Sequence, residues 1–314
     1  MSEPIGFVFP GQGSKSVGMG CAFYDAFPGL RDLYDEASAI LGYDLGALCF
    51  DGPAERLNQT EYTQPALLVT SVAALRLVEQ AGIQPAAVAG HSLGEYSALV
   101  AGGGLSFEDA VSLVHKRGTY MAQAVPAGSG MVAAVLGMTI DQVQEACDEA
   151  RAVGVVSAAN FNSPGQIVIA GERAAVEHAN ELLKKKGCRR IMPLPVSVPV
   201  HTPLMAPAAD RLSADLAAVL LSDLRVPLIN NAEAQPLQHA EDIRTSLIRQ
   251  LPSSVRWEQS MHKMSELGIT TFIEIGPGTV LTGLLKRILP DTVMLNVHDL
   301  ESLEATQQRI RAKV

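Results

Sequence analysis

A serine with glycine two residues to either side, Gly90-His91-Ser92-Leu93-Gly94, is the segment of this 314-residue chain best suited to chemistry. The apolar run Ala86-Ala87-Val88-Ala89 precedes it, and the helix-compatible stretch Glu95-Tyr96-Ser97-Ala98-Leu99-Val100-Ala101 follows. Strand, sharp turn and helix together form the context of a nucleophile elbow. The serine stands on a strained turn with its Oγ free, and a Cβ two residues away on either side would crowd that turn. The Leu93 amide then faces the same space and can donate to an oxyanion. The plain alternative is an ordinary strand-to-helix turn.

A serine nucleophile needs a base. Of the seven histidines, His201 lies in Val198-Pro199-Val200-His201-Thr202-Pro203, where two prolines stiffen the loop just ahead of a helix. His298, beside Asp299, is its rival and fits the chain order serine, acid, histidine. The residue types leave both open. An elbow also needs a second N–H donor from another strand-end loop. Gln12, in Pro10-Gly11-Gln12-Gly13-Ser14-Lys15-Ser16, can bring its amide close because glycines flank it, although an ordinary glycine turn explains the same run. The run lacks the spacing of a phosphate loop and of a dinucleotide fingerprint. Arg117 lies at the edge of an apolar stripe made by Phe107, Ala110, Val111, Val114, Gly118, Met121 and Ala122. A guanidinium held there calls for a carboxylate, and the competing reading is snorkelling to solvent. His115 and Lys116 read as the solvated side of the same helix.

Composition frames these residues. Apolar residues make up 47% and charged residues 18%, as in an ordinary soluble enzyme large enough for a big domain with an insertion. The net charge of −9 argues against general nucleic-acid binding. No apolar run approaches a membrane span, and the chain enters a first strand, Ile5-Gly6-Phe7-Val8-Phe9, without a basic leader. Cys21, Cys49, Cys147 and Cys188 are scattered, which suits free thiols in a reducing cytoplasm and no metal site.

Strand and helix patterns alternate, the α/β signature. Strands are expected at 5–9, 86–90, 271–275 and 293–296. Helices are expected at 30–41, 64–81, 94–101, 106–124, 203–221, 256–267, 279–289 and 299–311. Between 127 and 197 the order becomes strand 130–136, helix 139–151, strand 154–159, strand 166–170, helix 172–186 and strand 189–195. That β-α-β-β-α-β order is ferredoxin-like. The expected fold is α/β: a hydrolase-like parallel-sheet core, residues 1–126 and 198–314, with a small ferredoxin-like domain inserted at 127–197.

Taken in order, Phe7-Val8-Phe9-Pro10-Gly11-Gln12-Gly13-Ser14, Thr63-Gln64-Pro65-Ala66, the serine elbow through Tyr96, Asn160-Phe161-Asn162-Ser163-Pro164-Gly165-Gln166, Pro195-Val196-Ser197-Val198-Pro199-Val200-His201 and Glu274-Ile275-Gly276-Pro277-Gly278 resemble the malonyl-CoA:acyl carrier protein transacylases of bacterial type II fatty acid synthesis. The likeness spans residues 5 to about 290. It implies Ser92 as nucleophile, His201 as base, the Gln12 and Leu93 amides as oxyanion hole, and Arg117 as the seat of the malonyl carboxylate. It also implies a histidine oriented by a main-chain carbonyl at Gln250, the partners malonyl-CoA and acyl carrier protein, no cofactor or metal, and a cytoplasmic monomer. Three positions depart from the family pattern. Lys15 stands where glutamine is usual, Val200 where serine is common, and Pro252-Ser253-Ser254-Val255 replaces an aromatic-x-Pro-Val run, which puts the loop orienting His201 in question. Other readings are an acyltransferase of a polyketide synthase, the malonyl-transfer subunit of a malonate decarboxylase, a serine esterase using His298, and a nucleotide-binding module on the 10–16 loop. A net-negative chain needs a local basic patch to dock an acidic carrier protein. The densest is Lys184, Lys185, Lys186, Arg189 and Arg190, which can equally be a solvated helix end.

Overall fold

The computed structural model describes residues 3–194, 196 and 198–312, so Pro195 and Ser197 of the motif above lie outside the described residues. Among the described residues ten strands occur in chain order: β1 Ile5–Phe9, β2 Ala87–Gly90, β3 Gly130–Leu136, β4 Val156–Ser163, β5 Gln166–Glu172, β6 Arg190–Pro193, β7 Leu228–Ile229, β8 Pro236–Leu237, β9 Thr271–Ile275 and β10 Val293–Val297. They form a six-stranded sheet, β10-β9-β1-β2-β7-β8, and a four-stranded sheet, β4-β5-β3-β6. The first is parallel apart from the short β7–β8 pair. Its strands β1, β2 and β9 are apolar runs buried almost throughout, as a parallel sheet covered on both faces requires.

The four-stranded sheet is antiparallel throughout, and its order is that of a split β-α-β. One face packs beneath helices Ile140–Ala150 and Arg173–Lys185 through Val135, Val143, Ile169 and Val176. The other carries Val132, Ala134, Ala159, Val168 and Ala170. Strand β4 runs to Ser163, beyond the expected end at 159, and register shifts interrupt it between Ala158 and Asn160 and between Phe161 and Ser163. Asn160 also bridges Val255, so the small sheet is joined by backbone to the core.

The helix expected at 64–81 begins earlier and spans Thr60–Gln80. Pro65 is therefore interior and leaves the Glu61 carbonyl without its usual donor. The His115 Nδ1 lies 3.2 Å from that carbonyl oxygen and takes the place of the missing N–H. Helix Phe107–Gln123 crosses here at close range: a Cβ on Gly118 would lie 2.7 Å from the Glu61 Cα. His115 and Lys116 are thus bridging groups rather than a purely solvated face, Lys116 pairing with Asp215 at 2.6 Å. The stretch expected as helix 203–221 is a 3-10 turn, Pro203–Met205, followed by helix Ala206–Ala218. Helix Ala240–Gln250 and strands β7 and β8 were not anticipated from the pattern. Glu274 caps helix Val280–Ile288, accepting from the N–H groups of Leu281 at 3.0 Å and Thr282 at 2.6 Å.

Candidate active site

Ser92 follows β2 directly and has φ 53°, a left-handed conformation that costs a non-glycine residue about 1–3 kcal/mol. The two glycines of the elbow are needed for contact reasons. A Cβ on Gly90 would lie 1.9 Å from the Gly94 carbonyl carbon, and one on Gly94 would lie 2.2 Å from the Phe9 carbonyl oxygen. The turn therefore packs directly on the end of β1. A Cβ on Gly11 would lie 2.5 Å from the His91 carbonyl oxygen, so the loop carrying Gln12 closes on the elbow in the same way. Among the described residues, neither the Gln12 nor the Leu93 N–H has an acceptor within the protein. Leu93 stands at the N-terminus of helix Gly94–Gly102, where the helix dipole favours negative charge.

The Ser92 Oγ and His201 Nε2 are 2.7 Å apart. On the far side of the ring, Nδ1 lies 3.1 Å from the Gln250 carbonyl oxygen and 3.2 Å from that of Ser253. Carbonyls only accept, so Nδ1 carries the proton and Nε2 is left free to take one from Ser92. Burial, and then the Arg117 charge, lower the His201 pKa to about 3, so the ring is neutral at ordinary pH. His201 itself has φ 58°. The unusual run after Leu251 does not dislodge this arrangement. Ser253 supplies the second carbonyl, the Ser254 Oγ donates to the Ala158 carbonyl at 2.6 Å, and Val255 pairs with β4. His298 is elsewhere, bonded to Asn296 and Asp299 in a separate hollow beside helix Leu300–Arg311.

Arg117 is fully buried, which removes the snorkelling reading. Its Nη2 donates to the Ser92 Oγ at 3.1 Å and to the Gln250 Oε1 at 2.9 Å, and Nη1 donates to the Gln64 Oε1 at 2.7 Å. Its Nε has no partner among the described residues. A buried guanidinium with spare donors beside a nucleophile is a ready seat for a carboxylate. The cleft beside Ser92 has a volume of about 340 Å³ and is walled by Gln12 and His201 from the core and by Val132, Asn160 and Val168 from the small sheet. Lys15 lines the same cleft, its Nζ 3.5 Å from the Gln12 carbonyl oxygen.

Two residues that sequence reasoning missed brace the elbow. The Asn231 Oδ1 accepts from the Ser92 N–H at 2.6 Å and its Nδ2 donates to the Gly90 carbonyl at 2.7 Å. The Glu95 Oε2 accepts from the Asn231 N–H and from the Gln250 Nε2, both at 3.0 Å. These contacts join positions 92, 95, 231 and 250, a sequence separation that no local pattern reveals.

Groups set out this way, on this α/β fold, suit acyl-transfer chemistry. The acyl transferase domain model matches residues 6–308. The malonyl CoA-acyl carrier protein transacylase of Escherichia coli (strain K12) is 50% identical over 284 residues, covering 90% of this chain and 92% of the relative. The enzyme of that name from Bacillus subtilis (strain 168) is 48% identical over 308 residues, covering 98% and 97%. Among solved structures, an acyl carrier protein S-malonyltransferase from Vibrio cholerae superposes with TM-score 0.94 at 49% identity, covering 97% of this chain and 100% of that one. A malonyl-transacylase in complex with its type II polyketide acyl carrier protein superposes with TM-score 0.95 at 45% identity, covering 98% and 100%. The chain belongs to the acyl transferase domain family and, within it, to the malonyl-CoA:acyl carrier protein transacylases.

Proposed function

We propose that this protein transfers a malonyl group from malonyl-CoA to the phosphopantetheine thiol of an acyl carrier protein by way of an ester on Ser92, supplying fatty acid elongation. The observation that carries this reading is the buried Arg117 guanidinium 3.1 Å from the Ser92 Oγ. In a malonyl ester the free carboxylate sits one methylene from the ester carbonyl, so a cation this near the nucleophile can hold it without displacing the reacting carbon. His201 takes the Ser92 proton as Oγ attacks the thioester carbonyl. The Gln12 and Leu93 amides bind the oxyanion, and the imidazolium returns the proton to the departing CoA thiolate. The carrier thiol then enters and the steps run in reverse, thioester to ester to thioester.

Every group in this sequence comes from one chain, which fits action as a monomer. Cys49, Cys147 and Cys188 are buried free thiols, as suits a reducing cytoplasm. The reading keeps residues 127–197 as an inserted domain that walls the cleft and receives the carrier protein. Lys184, Lys185, Arg189 and Arg190 are exposed at one end of it and would meet the acidic partner, while Lys186 is tied to Glu145 at 2.8 Å. Incubation with malonyl-CoA followed by intact-mass measurement tests the core of the proposal. A malonyl adduct is expected on the wild-type protein and none on Ser92→Ala. An adduct that persists in the alanine variant would move the chemistry to another residue.

A further inference from the structure

Among the described residues the buried charged side chains are Arg117, Glu95 and Glu274, and Glu274 is committed to the N-terminus of helix Val280–Ile288. Arg117 and Glu95 are linked through one side chain. They do not touch directly; Gln250 stands between them, its Nε2 donating to the Glu95 Oε2 at 3.0 Å and its Oε1 accepting from the Arg117 Nη2 at 2.9 Å. Above about pH 7 the unloaded site therefore holds one buried cation and one buried carboxylate. A malonyl carboxylate seated on Arg117 would bring a second negative charge into the same desolvated space. Two carboxylates cannot share one cation there at low energy, and the usual resolution is that one takes a proton.

Resting on the reading that Arg117 holds the acyl carboxylate, we propose that Glu95 is the resident counter-charge of Arg117 and that seating the malonyl group draws a proton from solvent onto Glu95. Glu95 is then a positioning residue whose charge state follows the acyl group. The geometry suits the exchange. The Glu95 Oε1 is buried with no hydrogen-bond partner, so an ionised oxygen there is poorly supported, while Oε2 keeps its two donors in either state. Burial lifts the Glu95 pKa to about 7, and the charged or titratable groups facing it are Arg117, Glu233 and Tyr96. Glu233 is itself paired with Arg249 at 3.1 Å. Hydrogen bonds from Gln250 and Asn231, and then the Arg117 charge, favour the ionised form; a carboxylate on Arg117 offsets the last of these and adds a like charge nearby.

The sign follows from linkage. Below about pH 7 Glu95 already holds its proton and loading takes up none. Above it, each loading event takes up one proton, so malonyl loading weakens with rising pH while acetyl loading does not. The experiment is the equilibrium extent of Ser92 acylation by malonyl-CoA and by acetyl-CoA between pH 6 and 9, read by intact mass. The ratio of the two cancels ionisation of the CoA thiol. In the wild type the malonyl-to-acetyl ratio is expected to fall by up to about tenfold per pH unit above pH 7. In Glu95→Gln, which can keep both donors on one oxygen without the charge, the ratio is expected to be level. A level ratio in the wild type, or an unchanged slope in Glu95→Gln, overturns the proposal. Should the variant fail to fold, infrared difference spectra of the wild type decide: malonylation, and not acetylation, must convert a carboxylate band into a carboxylic acid band. Arg117→Ala separates the two layers. If it leaves the malonyl-to-acetyl ratio unchanged, the carboxylate seat itself is wrong; if it collapses the ratio while the wild type shows no slope, only the role of Glu95 falls.

Discussion

Around Ser92 the backbone is cramped and the polar side chains lock one another, whereas the small antiparallel sheet meets the same cleft with Val132 and Val168, interrupted by Asn160 and Asn162. Glycines at 90, 94 and 11 let the elbow and the loop carrying Gln12 touch, and Asn231, Glu95, Gln250 and Arg117 leave Ser92 little freedom. Only His91 crosses from elbow to small sheet with a side-chain hydrogen bond among the described residues lining this cleft, its Nε2 2.9 Å from the Asn162 Oδ1. Bond-making needs donors fixed to fractions of an ångström, and a long thioester arm needs a wall to slide along. The core and the small sheet meet these needs separately.

That separation can be broken by mutation. His201→Ala strikes the core, and turnover with any acyl donor is expected to fall by about 10²–10⁴-fold, with the fold retained by circular dichroism. His298→Ala in the same assay is expected to leave rates within about twofold, since a surface change of this kind rarely matters. Equal losses would return the rivalry between the two histidines to the open. Arg117→Ala should cost malonyl transfer about a hundred- to a few-thousand-fold, from the 3–5 kcal/mol typical of truncating one side of a desolvated pair, and acetyl transfer much less. The pH profile sharpens the same contrast. An exposed histidine base would lose activity about tenfold per unit below pH 6.5, whereas His201, neutral down to about 3, should keep acetyl turnover level from pH 7 to 5. An acid limb near 6.5 would mean that water reaches the ring. A smaller loss than at His201 or Arg117 is expected from the inserted region. Reversing Lys184, Lys185 and Arg189 to Glu should slow transfer to carrier protein several-fold at low salt, less at high salt, and leave transfer to free pantetheine near normal. Unchanged carrier kinetics at low salt would reduce the patch to a solvated helix end.

Much of this was legible in the sequence for local reasons. The elbow follows from steric demand at Gly90 and Gly94, and the small sheet from six elements in an unmistakable order. Strand β4 ran past its expected end because Asn160-Phe161-Asn162-Ser163 is polar where it faces the cleft, and polarity reads as a loop. Helix Ala240–Gln250 escaped notice because Ile243, Leu247 and Ile248 are nearly all the apolar signal it carries. Gln250 was therefore reached through family resemblance, and its side-chain bonds to Arg117 and Glu95 were not foreseen. Arg117 was ambiguous because one cation beside an apolar stripe looks the same whether it turns in or out. Asn231 and Glu95 act across more than a hundred residues, where spacing is silent.

The partners of His201 Nδ1 are two carbonyl dipoles and no fixed anion. A carboxylate at that position stabilises the imidazolium that forms in the reaction. Dipoles support it less, so in the proposed mechanism the positive ring is a brief carrier and the proton spends its time on oxygen or sulfur. For a one-way hydrolysis that would be a weakness. In the proposed exchange a thioester gives an ester and the ester another thioester, nearly level ground that is crossed in both directions. A ring that holds its proton loosely gives neither direction a deep intermediate to climb out of.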